Sequence, residues 1–386
     1  MINFWKRIID LYEKREGPND LTNVKKISKP KLLELDLVRA AAILAVLIIH
    51  ATADATVELA FGSGSQAMYL TLNKLSNFAV PVFILLSGLV LFYRYQDDFG
   101  GKQALLFYVR RVRQVLFPYL IWSLFYYLYN QWIYDRARLH FDAAEFGELL
   151  PWADASYHLY FMIIIVQFYL IFPLLMWMCK AWPSFRRYLV WIGLAVHAGL
   201  YAYHYWVRPF DHMASLCINY FSMFALGGWM GLYYERFSGW LRANFAWVST
   251  LTLLIGCAFV GLFVAEGRFR LQLPGYGYQL LFFGYAAFVS MTLIRLCQIA
   301  LARWKLISRL LTSLGAVSFG VYLMHPAVLT YYKTHVTLPG GSIAMYHAYT
   351  FGAFLASLIV PWVLVYAYGR IMKLLRKKPV RTKAGA

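Results

Sequence analysis

Apolar residues occur along the chain in long blocks that polar connections interrupt. A helix needs about 20 mostly apolar residues to cross a bilayer core of about 30 Å. Suitable windows lie at roughly 35–55, 75–95, 115–134, 158–179, 188–206, 214–234, 245–264, 276–297, 310–332 and 347–370. The pattern predicts an all-α integral membrane protein, a bundle of about ten transmembrane helices in a membrane domain over 32–372.

Charge follows the alternation of the connections. The net charge is +19, which alone could suggest a nucleic-acid partner. However, 29 of the 37 Lys and Arg residues fall in 1–34 and in alternate connections, at 94–114, 180–187, 235–243, 295–309 and 370–386. Basic residues accumulate on the cytoplasmic side of membrane proteins. The distribution predicts a multi-pass protein of the inner cell membrane with both termini in the cytoplasm, and it requires no nucleic acid.

Two basic segments flank the predicted membrane domain. In 1–31, Trp5, Ile8, Ile9 and Tyr12 share one helical face with basic residues elsewhere. This segment is either a cytoplasmic amphipathic helix on the anionic leaflet or a loose, solvated extension. Residues 373–386 form a basic cytoplasmic tail.

The first apolar block, 36-DLVRAAAILAVLIIH-50, contains ionisable side chains. Each costs about 2.5–3.5 kcal/mol to insert, so such residues often mark functional sites. At 100° per residue, Arg39 and His50 lie on one helical face, about 16 Å apart. Asp36 and Asp54 lie near the same face, and Asp54 is spaced to orient the His50 imidazole. A snorkelling Arg39 paired with Asp36, and a His50 hydrogen bond between helices, are the structural alternatives.

Several motifs resemble those of the membrane acyltransferase-3 family, in the same order over residues 35–332. The first is the Arg39-x10-His50 spacing. It is followed by 81-PVFILLSGLVL-91, which contains Ser87, by 110-RRVRQVLFPYLIW-122, by 158-HLYFMIIIVQFYLIFPLL-175 and by 314-LGAVSFGVYLMHP-326.

The resemblance implies transfer of an acyl group, often acetyl, from a coenzyme A thioester to a hydroxyl of a carbohydrate or another cell-envelope acceptor. It implies that His50 is catalytic and that Arg39 is its motif partner. Arg110-x-x-Arg113 fits the family's arginine pair, whereas alignment on Pro118 puts Gln114 at the second basic position. Any further step would require separate envelope-biosynthesis proteins.

The donor site is predicted at the inner face, because acetyl-CoA or another acyl-CoA carries phosphates that guanidinium groups bind. Its predicted residues are Asp36, Arg39, Arg110, Arg111 and Arg113, although anchoring at the inner membrane face is an alternative for each arginine. His50 would act as general base on the acceptor hydroxyl, or it would form a covalent acyl intermediate.

A second set of residues is predicted to line the cavity or to contact the acceptor: Ser87, His158, Ser318, Tyr322 and His325. The last three recur at steps of four and three on one helical face. Hydrogen bonds between helices are an equal alternative for them, and an interfacial position is the simpler interpretation of His158. The remaining histidines form no recognisable ligand set, so no metal site is predicted.

Two other functions fit part of the pattern. A transporter or flippase for a polysaccharide or lipid-linked sugar could use the polar stripe as a proton relay. A non-catalytic membrane scaffold would leave the register of Arg39 and His50 unexplained. Binding of acetyl-CoA distinguishes the acyltransferase from the transporter.

Overall fold

The computed structural model describes residues 29–269, 275–337 and 342–376, and no strand occurs in these ranges. The predictions for the amphipathic helix in 1–31 and for most of the tail lie outside them. The helices are α1 (Glu34–Thr52), α2 (Ala55–Glu58), α3 (Gly64–Ser76), α4 (Ala79–Tyr95), α5 (Gly101–Arg111), a π-helical turn (Val112–Leu116), α6 (Phe117–Tyr134), α7 (Ala143–Leu149), α8 (Tyr160–Ala181), α9 (Pro183–Trp206), α10 (Phe221–Leu232), α11 (Tyr234–Ala243), α12 (Phe245–Phe269), α13 (Gly275–Arg303), α14 (Lys305–His335) and α15 (Ile343–Arg376).

A helix occupies each of the ten predicted windows. Within the described ranges, seven segments are long and apolar enough to cross a membrane: Glu34–Thr52, Gly64–Tyr95, Tyr160–Ala181, Phe245–Glu266, Gly275–Arg303, Lys305–His335 and Ile343–Met372. The other three windows correspond to α6, α9 and α10, and α10 has only 12 residues. An all-helical, multi-pass membrane protein is therefore confirmed, whereas ten crossings and cytoplasmic termini stay predictions.

Glycines let α4 and α10 pack backbone to backbone. A Cβ atom at Gly88 would lie 2.3 Å from the Phe224 carbonyl oxygen, and one at Gly227 would lie 2.0 Å from that of Leu85. Gly231 repeats this contact one turn later, against Leu89. Small residues four apart allow such close approach in membranes, where van der Waals contact drives helix association. This pair forms a rigid wall beside α1.

Gly315 brings α14 against the start of α1. A Cβ atom at this position would lie 1.8 Å from the Asp36 carbonyl oxygen, so only glycine permits the contact. Ten residues later, the His325 ring lies near His50 at the other end of α1, with ring centroids 5.3 Å apart. The two helices therefore run in the same direction, and their polar faces meet along their length.

Pro326 interrupts the backbone ladder of α14 beside His325. Proline has no N–H, so the carbonyl four residues earlier loses its helical donor. The Tyr126 hydroxyl from α6 enters the interrupted turn, where it donates to the Leu323 carbonyl at 2.7 Å and accepts from the Ala327 N–H at 3.3 Å. A side chain from a neighbouring helix thus bridges the next backbone pair, while the His325 ring lies at the Tyr322 carbonyl that lost its donor.

Candidate active site

A cavity of about 300 Å³ opens between α1, α4, the π-helical turn, α8 and α14. Its walls contain five of the predicted site residues, namely Arg39, Ser87, Arg111, Ser318 and Tyr322. Apolar and aromatic side chains complete them: Phe83, Val115, Phe161, Met162, Ile165, Tyr169 and Phe319, together with Gln114. A mostly apolar pocket with a few convergent polar groups is the usual form of a ligand site.

Arg39 and Asp36 form the charged pair that the sequence predicts. Arg39 Nη1 lies 2.7 Å from Asp36 Oδ1, and the carboxylate is buried. The guanidinium keeps 28% of its side-chain surface exposed, on the cavity side. Because a buried carboxylate fixes its position, Arg39 can offer its remaining N–H donors to an anion.

Arg111, rather than Arg110 or Arg113, turns into the cavity. Its guanidinium lies over the rings of Tyr169 and Phe107, with centroids at 4.6 Å and 5.0 Å. Its Nε atom is buried and has no hydrogen-bond partner among the described residues. Arg110 and Arg113 are exposed and do not line the cavity.

The π-helical turn begins directly after Arg111 and contains Gln114, which also lines the cavity. Such turns are rare and frequently occur at functional sites. The pair that faces the cavity is thus Arg111 with Gln114, which matches the alignment on Pro118 and not the Arg110-x-x-Arg113 pattern.

The two serines contribute oxygen atoms to the cavity. Ser318 Oγ donates to the Gly315 carbonyl at 2.9 Å, and Ser87 Oγ donates to the Phe83 carbonyl at the same distance. Because each hydroxyl proton is used within its own helix, the oxygen atoms can accept hydrogen bonds from a ligand.

Beyond Tyr322, three histidines lie close together. The His50 and His325 ring centroids are 5.3 Å apart, and those of His325 and His158 are 5.7 Å apart. His158 and His325 are fully buried, whereas His50 is half-buried. The Tyr322 hydroxyl donates to the His158 carbonyl and so links α14 to the start of α8. The predicted catalytic, acceptor and cavity residues therefore converge from three separate parts of the chain.

Asp54 is placed differently from its prediction. Its carboxylate lies 2.6 Å from Lys333 Nζ, and 44% of the Asp54 side chain is exposed. In the part of the chain that the structure describes, no hydrogen bond joins Asp54 to His50. The backbone at Ala53 and Asp54 stays helical beyond the end of α1 at Thr52, so the ion pair with Lys333, and not a change of register, accounts for the different placement.

No metal ligands are apparent among the described residues. They contain no group of three or more His, Cys, Asp or Glu side chains arranged to hold a metal ion.

The comparisons with known proteins agree with these motifs. A family model described as an acyltransferase domain, of the acyltransferase-3 type, matches residues 32–366. The chain belongs to the acyltransferase-3 family. The chain is 24% identical over 311 residues to the probable poly-beta-1,6-N-acetyl-D-glucosamine export proteins of Staphylococcus aureus strains MSSA476, MW2 and N315. The matched region covers 78% of this chain and 83% of each relative. No solved structure matches.

Three residues beside the site were not predicted from the sequence. Tyr157, in the loop before α8, places its ring 4.9 Å from that of His50 while 57% of it is exposed. Tyr169 stacks on Arg111, and Lys333 pairs with Asp54. Tyr169 lies on the α8 face that also carries Phe161 and Ile165, so periodicity could have identified it. Tyr157 and Lys333 lie at helix ends and give no such signal.

Proposed function

We propose that this protein is an O-acyltransferase of the inner cell membrane that moves an acyl group such as acetyl from acyl-CoA to a hydroxyl of a cell-envelope carbohydrate, with His50 as general base. The main support for this proposal is the cavity. Arg39 and Arg111 both face it, and Tyr322 in its wall lies beside the histidines. Two cations at one end and imidazoles at the other match a donor with a phosphorylated end and a reactive end.

Arg39 and Arg111 are the residues best placed to bind the phosphates of the acyl donor. Guanidinium groups bind phosphate oxygens through paired N–H donors, and the stacked Arg111 is preorganised for this. The excess of basic residues predicts that this end faces the cytoplasm, where acyl-CoA is made. The apolar walls, including Phe161 and Ile165, suit the uncharged arm that joins the phosphates to the thioester.

The proposed chemistry needs one base. A ring nitrogen of His50 takes the proton of the acceptor hydroxyl while the oxygen attacks the thioester carbonyl carbon. The C–S bond breaks, and the coenzyme A thiolate recovers the proton from the imidazolium. The products are an ester and free coenzyme A. In the covalent variant, His50 first takes the acyl group and then passes it to the hydroxyl.

The acceptor would approach at Tyr157 and His158. The exposed Tyr157 ring beside His50 offers a flat apolar surface of the kind on which a sugar ring can stack. The S. aureus relatives are named for poly-beta-1,6-N-acetyl-D-glucosamine, so an oligomer of this glycan is the first acceptor to test.

A second candidate function follows from the same relatives, whose name describes export. Under this hypothesis the histidines would relay protons during movement of the glycan across the membrane. The donor cavity with Arg39 and Arg111 would then have no use, which is why we favour acyl transfer.

One experiment separates the two candidates. Purified full-length protein in lipid nanodiscs receives acetyl-CoA labelled in the acetyl group and a beta-1,6-linked N-acetylglucosamine oligomer. We expect label on the oligomer, detected by mass spectrometry, and release of free thiol. Absence of both at millimolar acetyl-CoA, together with glycan movement across the membrane of proteoliposomes, would favour export.

A further inference from the structure

We propose that His325 is the positioning residue of His50: its Nε2 atom accepts the N–H that the His50 ring carries on the nitrogen turned away from the acceptor hydroxyl, which leaves the other nitrogen bare to act as the base. This inference rests on the proposed function and assigns a specific task to a residue that the sequence placed only in the cavity lining.

The proton on His325 is fixed at Nδ1. Nδ1 lies 2.7 Å from the Tyr322 carbonyl oxygen and 3.3 Å from that of Val321, and carbonyl oxygens can only accept. The Tyr322 carbonyl needs this donor because Pro326, four residues later, has no N–H to offer. Nδ1 must therefore carry the hydrogen, and Nε2 of the neutral ring must be a bare acceptor.

That acceptor is buried and has no partner. His325 has no exposed surface, and its Nε2 atom has no hydrogen-bond partner among the described residues. An unsatisfied buried polar atom is costly, and native structures generally have a reason for each one. A donor on a neighbouring ring that moves within reach when substrate binds would provide such a reason.

His50 is the neighbouring group that carries a donor. Its ring adjoins His325 and Tyr157, while the nearest candidate carboxylate, Asp54, is engaged by Lys333. A neutral imidazole that acts as a base has its bare nitrogen toward the hydroxyl and a hydrogen on the other nitrogen. The two ring centroids are 5.3 Å apart, so the rings would draw together for that hydrogen to bond His325 Nε2. The bond would then hold the tautomer and stabilise the charge when His50 takes the hydroxyl proton.

His158 is less suited to the same task. Its Nε2 atom also has no partner in the described part of the chain, but its Nδ1 atom lies 3.0 Å from Ser156 Oγ. A hydroxyl can donate or accept, so this contact does not fix the position of the His158 proton. At His325, by contrast, two backbone carbonyls lie at Nδ1 and leave Nε2 as the bare nitrogen.

The test uses two substitutions, each of which keeps a polar group at one of the two ring-nitrogen positions of His325. In His325→Asn, the amide N–H can still reach the backbone carbonyls, but nothing occupies the Nε2 position. In His325→Gln, the side-chain carbonyl can reach that position. We expect His325→Asn to lower kcat by about 10- to 100-fold, the effect of one hydrogen bond to a charged group. KM for acetyl-CoA should change less than about twofold, and His325→Gln should recover most of kcat.

A matched control lies on the same helix. His335 also bonds a backbone carbonyl through Nδ1, at 3.0 Å from Tyr331, but it is exposed and lies ten residues, almost three helical turns, beyond His325. His335→Asn should leave kcat unchanged. Equal losses in His325→Asn and His325→Gln, or a fall in kcat for His335→Asn as large as that for His325→Asn, would overturn the inference.

A second measurement does not depend on acyl transfer. The bare nitrogen of a neutral imidazole attacks diethyl pyrocarbonate and the ring gains positive charge as the bond forms, so the rate of His50 modification, followed by mass spectrometry, reports its nucleophilicity. We expect carbethoxylation of His50 to slow severalfold in His325→Asn and to recover in His325→Gln. An unchanged rate in both variants refutes the role of His325, even if acetyl transfer occurs. A slowed rate supports it, even if the acyl donor proves to be another compound.

Discussion

The polar side chains at the two ends of α1 are held in different ways. At the Arg39 end, the cation is held by Asp36 before any ligand arrives, and Arg111 is stacked on two aromatic rings. At the His50 end, the neighbouring rings of His158 and His325 keep nitrogens for which the described residues provide no partner. Fixed cations suit binding of an anion, which needs a preset geometry. Unoccupied nitrogens suit a site where protons are exchanged.

The difference predicts separable effects of mutation. Substitutions at the His50 end should lower kcat, whereas those at the Arg39 end should raise KM for the donor.

The largest expected effect is that of His50→Ala. Loss of a general base typically costs about 10² to 10⁴-fold in rate, so acetyl transfer to the glycan oligomer should fall by that factor. Equilibrium binding of acetyl-CoA, measured by calorimetry in nanodiscs, should remain. The control is His212→Ala, since His212 stacks on Trp152 in a loop and contacts none of the three site histidines. Transfer at the wild-type rate by His50→Ala would refute the mechanism.

An intermediate effect is expected at the arginines. Arg111→Gln should raise KM for acetyl-CoA about tenfold, because one charge-assisted contact to phosphate is lost. Arg111→Lys should recover only part of this affinity, since an ammonium lacks the planar surface that stacks on Tyr169 and Phe107. Arg113→Gln, on the exposed neighbour, should leave KM within about twofold of wild type.

The reverse result would be equally informative. A large effect of Arg113→Gln with none of Arg111→Gln would restore the Arg110-x-x-Arg113 pairing as the donor site.

The smallest effect is expected for Asp54→Asn. Its partner is Lys333 in a partly exposed ion pair, and such pairs contribute about 0–1 kcal/mol. We expect kcat to fall less than about threefold, measured with the same glycan acceptor. A loss of 100-fold would instead show that Asp54 orients His50 during turnover, as the sequence pattern predicted.

Much of this architecture is readable in the sequence, because the physical signals are strong. Apolar windows predicted α1, α4, α8 and α14, although no window covered α5, which carries Arg111. The eleven-residue interval from Arg39 to His50 predicted one polar face. Ser318, Tyr322 and His325 were likewise expected on one face of their helix, and the cavity and histidine cluster contain them.

Other features depend on contacts between distant residues. The partner of Asp54 is Lys333, near the end of α14, and no local pattern connects them. The choice of Arg111 over its neighbours depends on its stacking on Tyr169, which belongs to another helix. Tyr157 lies in a loop whose path follows from the packing of α8. Such pairings are set by tertiary contacts, so helical periodicity cannot predict them.

The contact of Gly315 with Asp36 also fixes the position of α14 along α1. Moving α14 by one residue would press the side chain of Leu314 or Ala316 onto the Asp36 carbonyl, so the two helices cannot slide past each other. α1 itself sets the interval between Arg39 and His50, about 16 Å along the axis, and the contact keeps the polar face of α14 in register with it. A donor must bridge this interval to be bound at one end and to react at the other. A small acyl anhydride such as acetyl phosphate would reach only one end, so the site selects donors by their reach.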